Sequence, residues 1–143
     1  MAYENLVRLA EVMNRLRSPG GCPWDAEQTH ESLLKYLLEE SYEFVESVES
    51  GNRTDMREEL GDILLQVYFH SRIAEENGDD PFTVDDVAKA VADKLISRHP
   101  HVFSDVKVNS SGDVLENWEK IKRDRKSTRL NSSHEWISRM PSS

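Results

Sequence analysis

The chain has 143 residues, 37% hydrophobic and 31% charged, with a net charge of −9. That is one domain's worth of soluble, helix-rich chain, too acidic for a surface that displaces counterions from nucleic acid. No apolar run approaches the roughly 18 residues of a membrane span, the start lacks a signal peptide's basic and apolar pattern, and the single Cys22 cannot form an internal disulfide; a reducing, cytoplasmic setting is the expectation.

Asn5 to Arg17 places Leu6, Leu9, Ala10, Met13 and Leu16 at helical spacing, and Ser18-Pro19-Gly20-Gly21 stops it. A loop carrying Cys22-Pro23-Trp24-Asp25 follows. Thr29 to Ser32 offers N-caps for a second helix, which runs to about Ser50 before Gly51-Asn52 breaks it with a left-handed C-cap. A third helix, about Asp55 to Asn77, carries Met56, Leu60, Ile63, Leu64, Val67 and Ala74 on one stripe and ends at Gly78 and Pro81. Thr83 with Asp85-Asp86 opens a fourth, which reaches Arg98 and is terminated by Pro100. Asn109 to Gly112 reads as a linker, and Asp113 to Arg125 as a short charged fifth helix containing Trp118. The one candidate strand is the Val102-Phe103 piece. Serine-rich residues 127–143 lack an apolar stripe and resemble adapter read-through, so the domain proper is residues 1–126, with a non-native or disordered tail. The fold expectation is an all-α antiparallel bundle of about five helices, completed by dimerisation.

In the second helix Leu34, Leu37, Leu38, Ser41, Val45 and Val48 form one stripe, the face expected to pack. Glu40 and Glu43 lie off it, beside Leu33, Tyr36 and Phe44. In the third helix Glu59 and Asp62 leave the leucine stripe and sit near Gln66, Phe69 and Ile73. Each acidic pair is spaced i,i+3 and projects from one face. Folding at Gly51 makes an antiparallel αα-hairpin. Glu40 and Asp62 each lie eleven residues from Gly51, and Glu43 and Glu59 each lie eight, so the pairs come level. Four carboxylates converging at about 6 Å repel by roughly 2–3 kcal/mol per pair at an effective dielectric near 20, which calls for a cation. Oxygen donors without Cys or His favour Mg²⁺, with Mn²⁺ as the alternative, and a cation that completes its shell with substrate phosphates. The competing reading is a solvated acidic face in an acidic chain. A di-iron bundle would need Glu-x-x-His motifs, but Glu43 and Asp62 occupy the fourth positions.

EESYE (Glu39 to Glu43) followed after fifteen residues by ELGD (Glu59 to Asp62) resembles the EExxE…ExxD signature of the MazG family of all-α nucleoside triphosphate pyrophosphohydrolases. GCPWDAEQTH, LGDILLQV, KLISRHPHVF and NWEKIK extend the likeness from Asn5 to Lys126, and the chain looks like the first half of the family's two-domain form. The resemblance implies Mg²⁺-dependent hydrolysis of a nucleoside triphosphate to the monophosphate and pyrophosphate by water attack at the α-phosphorus. It also implies a homodimer, or a higher oligomer of dimers; the acidic charge and the lack of a long apolar run already argue against nucleic-acid and membrane partners. By motif, Glu40, Glu43, Glu59 and Asp62 would bind the metal, and Glu39 would be the catalytic, water-orienting group. Lys94 and Arg98 would hold phosphate, Trp118 would stack on a base, and Lys122 would hold phosphate. Without the resemblance, those cations read as a solvated helix end and Trp118 as a core anchor. The alternative function is a catalytically weak or inactive dimerisation or regulatory module of a tandem protein. His99 and His101 flank Pro100 and read as a packed turn, and Trp24 and Asp25 are either a pocket wall or plain loop packing.

Overall fold

The computed structural model describes residues 2–104 and 111–128. Among these the chain is all-α, with seven helices and no strand: α1 (Glu4–Arg17), α2 (Pro23–Glu27), α3 (His30–Ser50), α4 (Arg53–Ala74), α5 (Val84–Arg98), α6 (Pro100–Phe103) and α7 (Ser111–Thr128). The two helices beyond the expected five are short. Both begin with proline at the first position, where the missing N–H costs nothing and the fixed φ suits a helix. Pro100 therefore starts a helical turn as well as ending α5, and Val102-Phe103 is helical rather than extended, with Val102 N–H bonded to the His99 carbonyl. Ser111 and Gly112, read above as linker, are the first turn of α7; Asn109, Ser110 and residues 129–143 lie outside the described residues.

The chain comprises two compact units, Met1–Ala88 and Lys89–Ser143. In the first, Met13, Leu33, Tyr68 and Phe69 form the core, fringed by Leu9, Leu16, Tyr36, Leu64, Leu65 and Ile73. The Tyr68 hydroxyl donates to the Leu6 carbonyl at 3.0 Å and ties α4 to α1. A Cβ on Gly21 would overlap the carbonyl oxygens of Arg15 and Leu16, so only glycine lets the chain turn back over the end of α1.

The helix ends follow local chemistry. Thr29 and Ser32 form a reciprocal capping box at the start of α3. Thr83 and Asp86 exchange the equivalent bonds before α5, at 3.1 and 2.8 Å. Helix α4 stops three residues before the expected Asn77, because Glu76 and Asn77 tighten onto Ile73 and Ala74 and the Asn77 side chain accepts from Asp79 and Asp80 N–H.

Much of the apolar stripe expected to pack stands open among the described residues. Leu34, Leu38, Val45 and Val48 are each about half exposed or more, as is Leu60 on α4. The buried positions of α3 are Leu33 and Ser47, and those of α4 include Gln66 and Phe69. Buried Ser47 donates to the Phe44 carbonyl at 2.7 Å, which makes it an acceptable core residue.

Candidate metal centre

The α3–α4 hairpin is fixed at its turn. Gly51 takes φ 73° and ψ 12°, the left-handed C-cap open to glycine, and Asn52 Oδ1 accepts from Thr54 and Asp55 N–H at 3.0 and 3.1 Å to start α4. A turn this short leaves little freedom in the register of the two helices.

Glu40, Glu43, Glu59 and Asp62 come together as the spacing predicts: one carboxylate oxygen from each lies within 4.8 Å of all the others. Glu40 belongs to the inner face of α3, in the series Leu33, Tyr36, Glu40, Phe44 and Ser47, whose members are three or four residues apart. Glu59 and Asp62 continue the α4 series Gln66, Phe69 and Ile73. The site is thus set into the hairpin seam. Glu40 Oε2 and Glu59 Oε2 are buried with no hydrogen-bond partner among the described residues.

That environment penalises charge. Burial first, then the charges of Asp62, Glu43 and Glu59, push the Glu40 carboxyl up to about 7. Glu59 is also raised, by burial and by Glu43. Asp62 leads the charges acting on Glu40, and Glu43 leads those on Glu59, which is the pairing set by equal distances from Gly51. The donors fit a hard divalent cation. Opposite ligands of an octahedral Mg²⁺ stand about 4 Å apart, close to the spread of the four oxygens, and the unpartnered buried carboxylate atoms are of the required type.

Glu39 is exposed and lies outside the four-carboxylate group. In the second unit, Arg98 Cζ lies 5.7 Å and Lys122 Nζ 5.8 Å from the Trp118 ring centroid, so those three expected substrate residues form one cationic-aromatic group; Lys94 is one turn before Arg98. His99 Nδ1 donates to the Leu95 carbonyl at 2.7 Å and its ring lies 5.5 Å from that of His101, the packed turn read from the sequence. Sequence reasoning assigned no role to Gln66, which is buried one turn beyond Asp62 with Oε1 lacking a partner among the described residues. Its signal was the i,i+4 spacing from Asp62.

Residues 28–103, more than half of the chain, match the MazG nucleotide pyrophosphohydrolase domain. The chain belongs to the MazG family. It is 50% identical over 124 residues to the nucleoside triphosphate pyrophosphohydrolase/pyrophosphatase MazG of Thermotoga maritima, covering 87% of this chain and 46% of that protein. It is 43% identical over 127 residues to the nucleoside triphosphate pyrophosphohydrolase of Escherichia coli K12, covering 88% of this chain and 48% of that one. The crystal structure of a mazG-related protein from Thermotoga maritima aligns with a TM-score of 0.66 at 27% identity, over 81% of this chain and 97% of the other. The chain spans between about a quarter and a half of the length of the first curated relatives it matches. In the MazG fold of this chain the carboxylate cluster falls within the matched segment.

Proposed function

We propose that this MazG domain hydrolyses nucleoside triphosphates to the monophosphate and pyrophosphate. The convergence of Glu40, Glu43, Glu59 and Asp62 in the hairpin seam carries the reading, with support from relatives named for that activity. The four carboxylates hold Mg²⁺, or Mn²⁺ in its place. The bound cation supplies charge neutralisation for the triphosphate and for the leaving pyrophosphate. Glu39 orients the attacking water and accepts its proton. The water oxygen bonds to the α-phosphorus, the bond from that phosphorus to the α,β-bridging oxygen breaks, and pyrophosphate departs with the electron pair. Lys94, Arg98 and Lys122 bind phosphate oxygens, with Arg98 and Lys122 grouped about Trp118, which stacks on a base.

Reaction in ¹⁸O water tests the bond cleaved. Label in the nucleoside monophosphate, with unlabelled pyrophosphate, is expected; label in pyrophosphate, or release of a nucleoside diphosphate and phosphate, contradicts attack at the α-phosphorus.

A second reading follows from the exposed faces. Leu34, Leu38, Val45 and Val48 on α3, with Leu60 on α4, offer an apolar surface that a second copy would cover, so the working form is a homodimer or an assembly of dimers. A domain that dimerises through this surface but turns over no triphosphate would be the dimerisation or regulatory module. No helix of the described residues is long and apolar enough to cross a membrane.

A further inference from the structure

Gln66 stands where the hairpin seam changes character. Counted from Gly51, the α3–α4 hairpin is built in matched levels: Glu43 and Glu59 at eight residues, Glu40 and Asp62 at eleven, Tyr36 and Gln66 at fifteen, Leu33 and Phe69 at eighteen. Leu33 and Phe69 belong to the buried core and form an apolar floor; Gln66 fills the level between that floor and the carboxylates. It is only 6% exposed, and its Oε1 is buried without a hydrogen-bond partner among the described residues. The floor carries no side-chain donor, and Tyr36 on the same level makes no bond to this oxygen. Buried acceptors are nearly always satisfied, so one left open beside a candidate cation site calls for a donor from outside the chain.

The neighbours name that donor. Glu59, Asp62 and Gln66 follow one another at three and four residues and share one face of α4. Side chains lean toward the N-terminus of their helix, which for α4 is the Gly51 turn, so Gln66 leans toward Asp62 and the cluster. Its level lies about 6 Å beyond that of Asp62, too far to join the four carboxylates as a ligand but close enough to meet a water on the ion they hold. Four carboxylate oxygens leave an octahedral Mg²⁺ two positions for water or phosphate, and a water polarised by a divalent cation is a strong hydrogen-bond donor. An amide oxygen accepts from it without adding a fifth negative charge to a group that already repels. We infer that Gln66 is a positioning residue, whose Oε1 accepts a hydrogen bond from a water on the cation bound by Glu40, Glu43, Glu59 and Asp62. By holding that water in place, Gln66 keeps the remaining position for a phosphate oxygen. The inference rests on the reading of the cluster as a cation site.

The test loads the full chain with Mn²⁺ and reads the residence time of the longest-lived water on the ion by ¹⁷O relaxation. Gln66→Met keeps the length and apolar stem of the side chain and removes the acceptor. It should bind Mn²⁺ at the wild-type stoichiometry yet shorten the residence time by roughly ten-fold, the factor that one such hydrogen bond is worth, and lower kcat by roughly ten-fold with KM little changed. Gln66→Glu restores an acceptor oxygen and, with the ion offsetting its charge, should return the residence time toward that of wild type. Packing alone gives the reverse order, because apolar methionine suits a buried site and a carboxylate does not. That order, or a wild-type residence time in Gln66→Met, would overturn the inference and leave the cation site intact. Mn²⁺ affinity that falls in Gln66→Met as far as in Glu40→Gln would make Gln66 a fifth ligand and overturn the positioning role as well. A wild-type chain that binds no Mn²⁺ would remove the inference together with the reading of the cluster.

Discussion

Glu40 and Asp62 meet across the α3–α4 turn, each eleven residues from Gly51, and the Asp62 charge is the strongest acting on Glu40. Two carboxylates brought together in a protein seam are stable only if one is protonated or a cation lies between them.

The first prediction concerns pH in the absence of divalent ions. The folded carboxyl of Glu40, at about 7, lies above its ordinary value of 4.5, so the folded state binds the extra proton. Its contribution to stability is complete below about pH 4.5 and is lost as pH rises through 7. Wild type should lose on the order of 1 kcal/mol over that window relative to Glu40→Gln, after discounting for solvent screening. Thermal melts of both proteins in EDTA would show it, and millimolar Mg²⁺ should cancel the difference above pH 7.

The opposite sign is expected at His70. His30 and His70 bring their Nδ1 atoms to 2.8 Å with ring planes within 5° and centroids 5.0 Å apart, a head-to-head arrangement in which one nitrogen carries the hydrogen and the other accepts it. Burial, then the His30 charge, lowers the His70 pKa below 6.5. The stability it contributes is present above 6.5 and is lost as pH falls through the lowered value. Compared with His70→Gln, wild type should lose stability as pH falls below 6.5; parallel melting curves for the two proteins would contradict a shared-hydrogen pair.

Arg17 joins the end of α1, the α2 turn and Glu76 beyond α4. Removing it leaves the Asp25 and Gln28 carbonyls without that donor and the Glu76 carboxylate with Arg72 alone. Arg17→Ala should cost about 2–4 kcal/mol, measured by urea unfolding, and should increase proteolytic cleavage near Trp24 before it affects α3. Arg17→Lys should recover only part, because an ammonium cannot reproduce the fork.

Gln66 is 6% exposed, with a buried Oε1 that has no partner among the described residues. Its burial so close to Asp62 is unfavourable for folding alone. Gln66→Leu should raise stability by about 1 kcal/mol and reduce turnover, a trade of stability against function detectable by comparing Tm with kcat/KM. A stabilised variant with full activity would make Gln66 a packing residue only.

Much of this arrangement was readable from the chain because it depends on local rules. Gly51-Asn52, the Thr29 cap and the i,i+3 acidic pairs determine a hairpin and its register, and the register determines which carboxylates meet. What periodicity could not decide was which of two apolar stripes on α3 faces inward. Leu34, Leu38, Val45 and Val48 outscore the true inner series because that series contains Glu40, a member of the carboxylate cluster, and Ser47, whose hydroxyl bonds to the Phe44 carbonyl. Hydropathy ranks stripes by transfer energy, whereas burial also depends on what else the chain, or another copy of it, can cover. The α2 and α6 turns were missed for a smaller reason: Pro23 was read as part of a loop and Pro100 as a terminator, and each is also a sound first residue of a helix.

The central claim is that four carboxylates from two helices form one cation site. Mn²⁺ binding by electron paramagnetic resonance tests it directly in wild type and in Glu40→Gln, Glu43→Gln, Glu59→Gln and Asp62→Asn. The account predicts Mn²⁺ binding in wild type that is competed by Mg²⁺, and a loss of roughly ten-fold or more in affinity in each of the four variants. Wild-type affinity retained in the variants of either helix would mean that the two halves do not share an ion, and would contradict it.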